Sequence, residues 1–328
     1  MTVEILSVGA YTPVNRVTND ALAEIYKVDT SDEWIRSHTG IGSRYIAAGD
    51  ENCTSIAYEA SIKALSKAGI TANELDCIIF ASSTPDYKTF PASSSILQEL
   101  LGAEHAGAFD LAQGCTGFIY ALEVGRSLIV GGMKNVLVVG AEKLSSYLNW
   151  EDRNTCVLFG DGAGAVILSE SNNEKSRIID SYLRSEGSGA YCLKVEKGGS
   201  RNPLIMGQPV DQDSFITMDG QKVYNFAVRS VSDVIRKLME KHNLTVDDLK
   251  YIVPHQANQR IIQAAAKRLN IPLEKFYLNI EEFANTSAAT VPIALNEMEE
   301  KGFLQKGDLI ITVGFGAGLA YGGNLILW

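Results

Sequence analysis

The chain has 328 residues, 46% of them hydrophobic and 21% charged, a composition that suits one large α/β domain or two smaller ones. A formal net charge of −10 argues against broad binding to nucleic acid or to anionic membranes, though it leaves room for a local basic patch facing an acidic partner. No window approaches the ~20 apolar residues of a membrane span, and five scattered cysteines without a C-x-x-C pair suggest neither a disulfide framework nor a zinc site.

The opening residues, MTVEILSV, read as a first strand; without a basic n-region or a long apolar stretch they do not resemble a signal peptide, and a reducing cytoplasm is expected. Cys53 precedes a helical pattern, and Cys77 falls in the strand-like run CIIF (77–80). Residues 107–111 are short and apolar enough for a buried strand end, and DLAQGCTGF (110–118) follows. Beyond it Phe118, Ile119, Leu122 and Ile129 fall on one helical face, with Ala121, Val124 and Leu128 beside them. Cys115 is therefore expected where a strand turns sharply into a helix, on a path that Gly114 and Gly117 permit. Unpaired N–H groups and the positive end of the helix dipole favour thiolate there, and supply donors for an oxyanion. The residue pattern leaves two readings open, a packed structural cysteine and a nucleophile. Cys156, in TCVLF (155–159), reads as strand and packed; Cys192 lies in a mixed segment.

The chain also repeats itself. NELDCIIF (73–80) and DDLKYIVP (247–254) both read as an acidic turn entering a buried strand, 174 residues apart. Ala121-Leu122 followed by NVLVV (135–139) matches Ala294-Leu295 followed by DLIIT (308–312), 173 apart. A period this long implies duplication of a whole α/β unit, each with a mostly parallel sheet and helices on both faces. The halves are expected to pack about a pseudo-twofold axis, with the division at 1–172 and 173–328 in the polar run SESNNEKS (169–176).

Ligands of such sheets sit at the carboxyl ends of strands. His255 follows the run Tyr251-Ile-Val-Pro254 and precedes a helical pattern over 261–269, which makes it a hydrogen-bond donor or acid/base candidate. His105 and His242 lie in polar segments and read as solvated. Asn285, in FANTSAA (283–289), is equally an N-cap or an amide donor beside His255.

Together TSDEWI (30–35), TGI (39–41), the cysteine elbow, FGDGAGA (159–165), HQAN (255–258), NTSAA (285–289) and GFGAG (314–318) resemble the β-ketoacyl-acyl-carrier-protein synthase III family of the thiolase superfamily, over essentially the whole chain. The resemblance implies a thiolase-like fold layered αβαβα. It also implies a decarboxylative Claisen condensation of a short acyl-CoA with malonyl-acyl-carrier protein through an acyl-Cys115 intermediate, without metal or redox cofactor. Cys115, His255 and Asn285 would be catalytic, with the backbone N–H groups of Cys115 and Ala317 as the oxyanion hole. Trp34 and Arg153 would hold the CoA adenine between them. Thr39, Gly220, Tyr224, Ala257 and Asn258 would line the channel, with Arg260 at its mouth. Arg260, Lys267 and Arg268, on one helical face, would meet the acidic carrier protein. Phe90, in KTFP (88–91), would enter the acyl pocket of the partner in a homodimer.

Several positions depart from the family pattern. His38 and Gly42 stand where many relatives have arginine, Tyr224 replaces a phenylalanine, Gln113-Gly114 replaces Ala-Ala, and Ala284 replaces the glycine before Asn285. They leave the starter acyl group open. The rival readings are a polyketide or quinolone-type synthase or acyltransferase on the same fold and, from a different class, a non-catalytic acyl-CoA or carrier-binding protein. A thiolase proper would need a second cysteine in the last glycine loop, which has none.

Overall fold

The apolar runs of the chain pair into two sheets of the same plan. The computed structural model describes residues 2–171, 175–207 and 209–328. In chain order the first part holds β1 (Thr2–Tyr11), β2 (Arg16–Thr18), α1 (Asn19–Tyr26), α2 (Asp32–Thr39), β3 (Ser43–Tyr45), α3 (Cys53–Ala68), β4 (Cys77–Ala81), α4 (Ser93–Leu101), β5 (Gly107–Leu111), α5 (Gly117–Val130), β6 (Asn135–Glu142), α6 (Arg153–Cys156) and β7 (Gly162–Ser171). The second part holds β8 (Arg177–Ser185), β9 (Leu193–Val195), β10 (Ile216–Met218), α7 (Gly220–Lys241), β11 (Tyr251–Pro254), α8 (Gln259–Leu269), α9 (Ile280–Phe283), α10 (Thr290–Glu300), β12 (Leu309–Gly316) and β13 (Ala320–Leu327).

One sheet runs β1-β7-β6-β4-β5 and the other β8-β13-β12-β11, so four strands recur in the same spatial order. Cys77 and Tyr251 begin equivalent strands 174 residues apart, as do Asn135 and Leu309. Among the described residues the fifth strand has no full counterpart: the residues at the matching offset form the short helix α9, and beside β11 there is only an isolated parallel bridge, Ile252 with Phe276. The expected boundary between 172 and 173 lies outside the described residues.

The sheets are mixed rather than mostly parallel. Among the described residues, β4 pairs in parallel with β5 and β6, and β11 with β12, while β1–β7, β6–β7, β12–β13 and β13–β8 are antiparallel. Helical crossovers allow parallel neighbours; the tight turn between β12 and β13 permits only antiparallel ones. Cys156 is another correction. It ends the short helix α6, started by the Asp152 carboxylate accepting from Asn154 N–H, and is buried as expected.

Five layers result. α3 and α4 cover the outer face of the first sheet, α7 and α8 that of the second, and α5 and α10 fill the space between the sheets. α5 presents Phe118, Ile119, Leu122 and Ile129 to this central core, the face anticipated from their spacing. Antiparallel β9 and β10 form a separate flap. No helix among the described residues is long and apolar enough to cross a membrane.

Candidate active site

The path that delivers Cys115 begins at β5. This strand is the edge of its sheet and is largely exposed, unlike the buried strand its composition suggests. Its Asp110 carboxylate accepts from the N–H groups of Ser93 and Ser94 at 2.9 and 2.8 Å, tying the strand to the start of α4. Cys115 sits in a 3-10 turn, Gly114–Thr116, that runs directly into α5. Gly114 has φ of +54°, where a side chain is strained. Gly117 has ordinary helical φ and is required instead by packing, since a Cβ there would lie 3.1 Å from the Ala81 Cβ.

The last glycine loop presses on this turn. A Cβ on Gly316 would lie 2.8 Å from the Cys115 Cβ and 3.2 Å from its sulfur. Gly316→Ala is therefore expected to fold but to push the sulfur aside, slowing acylation of Cys115 by about 10²-fold, the usual effect of misplacing a reacting atom by an ångström. Single-turnover mass spectrometry reads this; an unchanged rate would show that the loop yields without moving Cys115.

His255 follows the last residue of β11, its N–H donating to the Val313 carbonyl at 2.7 Å. The ring is buried with an edge toward Phe315, 5.0 Å between centroids. Its Nδ1 has no hydrogen-bond partner among the described residues. α8 starts further on, at Gln259, capped by the Asn258 side chain, so His255 stands on the loop and not at the helix N-terminus. Asn285 is held from both sides, its N–H donating to Leu158 O and its carbonyl accepting from Gly160 N–H, each at 3.0 Å. Its Oδ1 accepts from Ser287 N–H at 2.8 Å, which leaves the amide NH2 as the end free for another partner. The capping and donor readings of Asn285 are thus compatible.

Ala284 holds this turn at φ 55° and ψ −155°, a region that glycine alone occupies easily. Ala284→Gly is expected to raise stability by about 1 kcal/mol, strain relief exceeding the entropy glycine adds to the unfolded chain. A urea midpoint that falls instead would show that the neighbouring packing, and not the backbone, sets the conformation.

Electrostatics reverse one expectation. The Cys115 thiol is pushed up to about 11 by burial, with the Glu142 carboxylate adding to the rise. Hydrogen bonding from the Ser287 side chain and from the N–H groups of Cys115 and Ala317 opposes the shift without cancelling it. A thiolate was anticipated from the helix start; desolvation works against that terminus and favours the thiol. Burial likewise depresses His255 to about 3, so its imidazole is neutral.

Two cavities meet at the sulfur. The larger, about 660 Å³, is lined by Cys115, His255, Asn285, Phe315 and Gly316, and by Trp34, Thr39, Arg153, Gly220, Tyr224, Ala257 and Asn258. The smaller, about 250 Å³, lies past Cys115 among Leu144, Tyr147, Phe159, Leu193 and Ile216. β9 and β10 contribute to both, so the flap roofs the site.

A β-ketoacyl-[acyl-carrier-protein] synthase III of Clostridium perfringens is 49% identical over 324 residues, covering 98% of each chain. The present chain belongs to that family. Family models described as 3-oxoacyl-[acyl-carrier-protein] synthase III and its C-terminal part match residues 109–187 and 239–328. The crystal structure of 3-oxoacyl-[acyl-carrier-protein] synthase III from Aquifex aeolicus superposes with a TM-score of 0.90 at 43% identity, covering 99% of this chain and 100% of that one. The priming β-ketosynthase of the R1128 polyketide pathway gives 0.88 at 34%, covering 99% and 96%. The fold is that of the thiolase-like synthases.

Residues expected from the synthase III resemblance fall into place unevenly. Seven of the eight assigned to CoA line the large cavity; Arg260 lies outside its wall, exposed and donating to Ser37 O at 2.6 Å. Trp34 and Arg153 are at the cavity, but the guanidinium lies directly over the indole at 4.9 Å, with no slot between them. His38 stacks on Trp34 as well, 4.4 Å between centroids. Lys267 and Arg268 are exposed at the last turn of α8, and Phe90 is 80% exposed, away from both cavities of its own chain.

Two residues of this site were not found from the sequence, Ser287 and Glu142. Glu142 is fully buried and accepts from Ser83 N–H, Thr84 Oγ1 and Ser287 Oγ at 3.0, 2.7 and 2.9 Å. Burial raises its carboxyl above the usual range. Its one sequence signal is a lone acidic residue ending the apolar run of β6.

Proposed function

We propose that this chain is the initiating condensing enzyme of type II fatty-acid synthesis, joining a short acyl-CoA to malonyl-acyl-carrier protein with release of CoA and CO2. The observation that carries this reading is the convergence of Cys115, His255 and Asn285, from three separate turns, on one cavity. The cavity suits a CoA thioester entering along Trp34, Thr39 and Asn258, and the smaller cavity beyond the sulfur suits a short, apolar acyl group.

Chemistry dictates the roles. Thioester exchange requires a sulfur nucleophile, Cys115. Negative charge on the tetrahedral carbon's oxygen requires donors, a role the N–H groups of Cys115 and Ala317 would fill. Loss of CO2 from the malonyl group places charge on its thioester oxygen, where the neutral imidazole of His255 and the amide of Asn285 donate hydrogen bonds. A cationic His255 is not needed, which fits its depressed pKa. Thioester chemistry throughout calls for no metal or redox group.

The same reading places the enzyme in the cytoplasm and makes it a homodimer of two-half subunits, 1–172 carrying the cysteine and 173–328 the histidine and asparagine. The exposed edge strand β5, with Phe109 and Phe90 exposed nearby in the chain, supports a second copy there. Arg260, Lys267 and Arg268 would offer a basic face to the acidic carrier protein, with Arg260 two residues beyond Asn258 of the cavity wall.

Intact mass after incubation with a panel of acyl-CoAs, before and after malonyl-carrier protein, tests the proposal. A single adduct on Cys115, discharged as a β-ketoacyl-carrier product, is the expected result. An adduct that malonyl-carrier protein leaves in place would favour an acyltransferase or a synthase of secondary metabolism; no adduct would favour a binding protein.

A further inference from the structure

Asn285 stands in a turn that ordinary backbone preference does not produce. Ala284 before it and Ser287 after it both have positive φ, 55° and 50°, although neither is glycine. A serine in that conformation persists only where its surroundings hold it. The Ser287 hydroxyl donates to Glu142 Oε1 at 2.9 Å, and both residues are buried.

The end of β6 is shaped to receive this turn. Gly140, two residues before Glu142, leaves room for it, since a Cβ there would lie 2.3 Å from the Ala288 carbonyl oxygen. The Glu142 carboxylate is anchored from the opposite side. It accepts from Ser83 N–H at 3.0 Å to each oxygen and from Thr84 Oγ1 at 2.7 Å. Among the described residues its donors are hydroxyls and N–H groups, none of them cationic. Burying a carboxylate on such donors is costly, and what it secures here is the path of two turns, 82–84 and 285–288.

The Ser287 conformation aims its own N–H, which donates to Asn285 Oδ1 at 2.8 Å. That contact decides which end of the amide is spent on the protein and leaves the NH2 for substrate. An amide turned end for end would present an oxygen to the thioester oxygen on which charge builds, a repulsion where a donor is required.

We propose that Glu142 is a positioning residue for Asn285: through the Ser287 hydroxyl it holds the turn whose N–H fixes the Asn285 amide with its NH2 free to donate. The inference rests on the role given to Asn285 above, donation to the malonyl thioester oxygen as CO2 leaves. Glu142 itself touches no substrate.

Two substitutions at one position isolate the effect. Ser287→Ala removes the hydroxyl and keeps a Cβ at positive φ; Ser287→Gly removes the hydroxyl but adopts that φ without support. Both lose whatever the hydroxyl does for Cys115, so acylation by acetyl-CoA in single turnovers is expected to change by the same factor in both. Release of CO2 from malonyl-carrier protein by the acylated enzyme separates them. Ser287→Ala is expected to slow it about 100-fold, the effect of losing one well-placed donor. Ser287→Gly is expected to keep about tenfold more of the rate, because it relieves the strain. A role in packing alone predicts the opposite order, glycine being the smaller residue and the more costly to order. In an Asn285→Ala background the two variants should release CO2 at equal rates, since Ser287 acts through that amide. Glu142→Gln should slow CO2 release in the native chain but add nothing to Ser287→Gly. If Glu142→Gln does not fold, Glu142→Asp, which withdraws the carboxylate by one methylene, enters the same comparison. Equal rates for Ser287→Ala and Ser287→Gly, or effects of Glu142 and Ser287 that simply multiply, overturn the inference. A wild type that releases no CO2 overturns the proposed function instead. The crystal structure of Ser287→Ala then decides the inference without activity: the turn is expected to relax to negative φ and leave Asn285 Oδ1, and a turn unchanged from the wild type overturns it.

Discussion

Replacing Cys115 with alanine is expected to abolish transfer of the acyl group from CoA to the protein, a loss of about 10⁴-fold or more, as for other enzymes stripped of their nucleophile. No second sulfur can take over. Among the other cysteines Cys53, Cys77 and Cys156 are buried away from the cavities, and Cys192 lines neither of the two that reach Cys115. The substitution removes one small atom from the junction of two cavities and leaves their walls unchanged, so acyl-CoA should still bind. Binding by calorimetry and acylation by intact mass thus part company in this variant. A protein that binds acyl-CoA but performs no chemistry would be indifferent to the change in both measurements; persistence of a full acyl adduct would move the nucleophile elsewhere.

The second large effect concerns acid. In the unfolded chain an imidazole takes its proton near the ordinary 6.5, whereas buried His255 does so only at about 3. Between these values the unfolded state binds more protons, so stability present above pH 6.5 is lost as the pH falls. The His255 contribution alone is about 2 kcal/mol by pH 5 and about 4 kcal/mol by pH 3. Urea unfolding of the wild type and His255→Asn between pH 7.5 and 5 measures it. The wild-type free energy should fall more steeply by about 2 kcal/mol over that interval; parallel curves would mean that the imidazole is protonated in the folded protein. Activity should not lose its histidine over the same range, because the folded site keeps the ring neutral.

Residue spacing revealed much of the architecture. The period of 173–174 residues anticipated two sheets with matching strand orders, and the face Phe118, Ile119, Leu122, Ile129 anticipated the central helix. Strand direction was less visible, because it depends on how strands are connected and not on their composition: β6 and β7 are as apolar as β4, yet run antiparallel to one another. The burial of β5 was misjudged for a related reason. Its residues suit a core strand, but its place at the sheet edge leaves it exposed.

For the site, the sequence alone set Cys115 and His255 after strands of two related units and Asn285 in a turn near the counterpart of Cys115, since elbow glycines, the proline before His255 and the NTSAA turn are local signals of backbone path. Only the tertiary structure decided the electrostatics. Whether a thiol ionises depends on desolvation and on charges distant along the chain, here Glu142 from β6 and Ser287 from the turn before α10, 145 residues apart and joined by one 2.9 Å hydrogen bond. The helix start that favours thiolate is written in a few adjacent residues; the burial that opposes it is the work of both halves packed together.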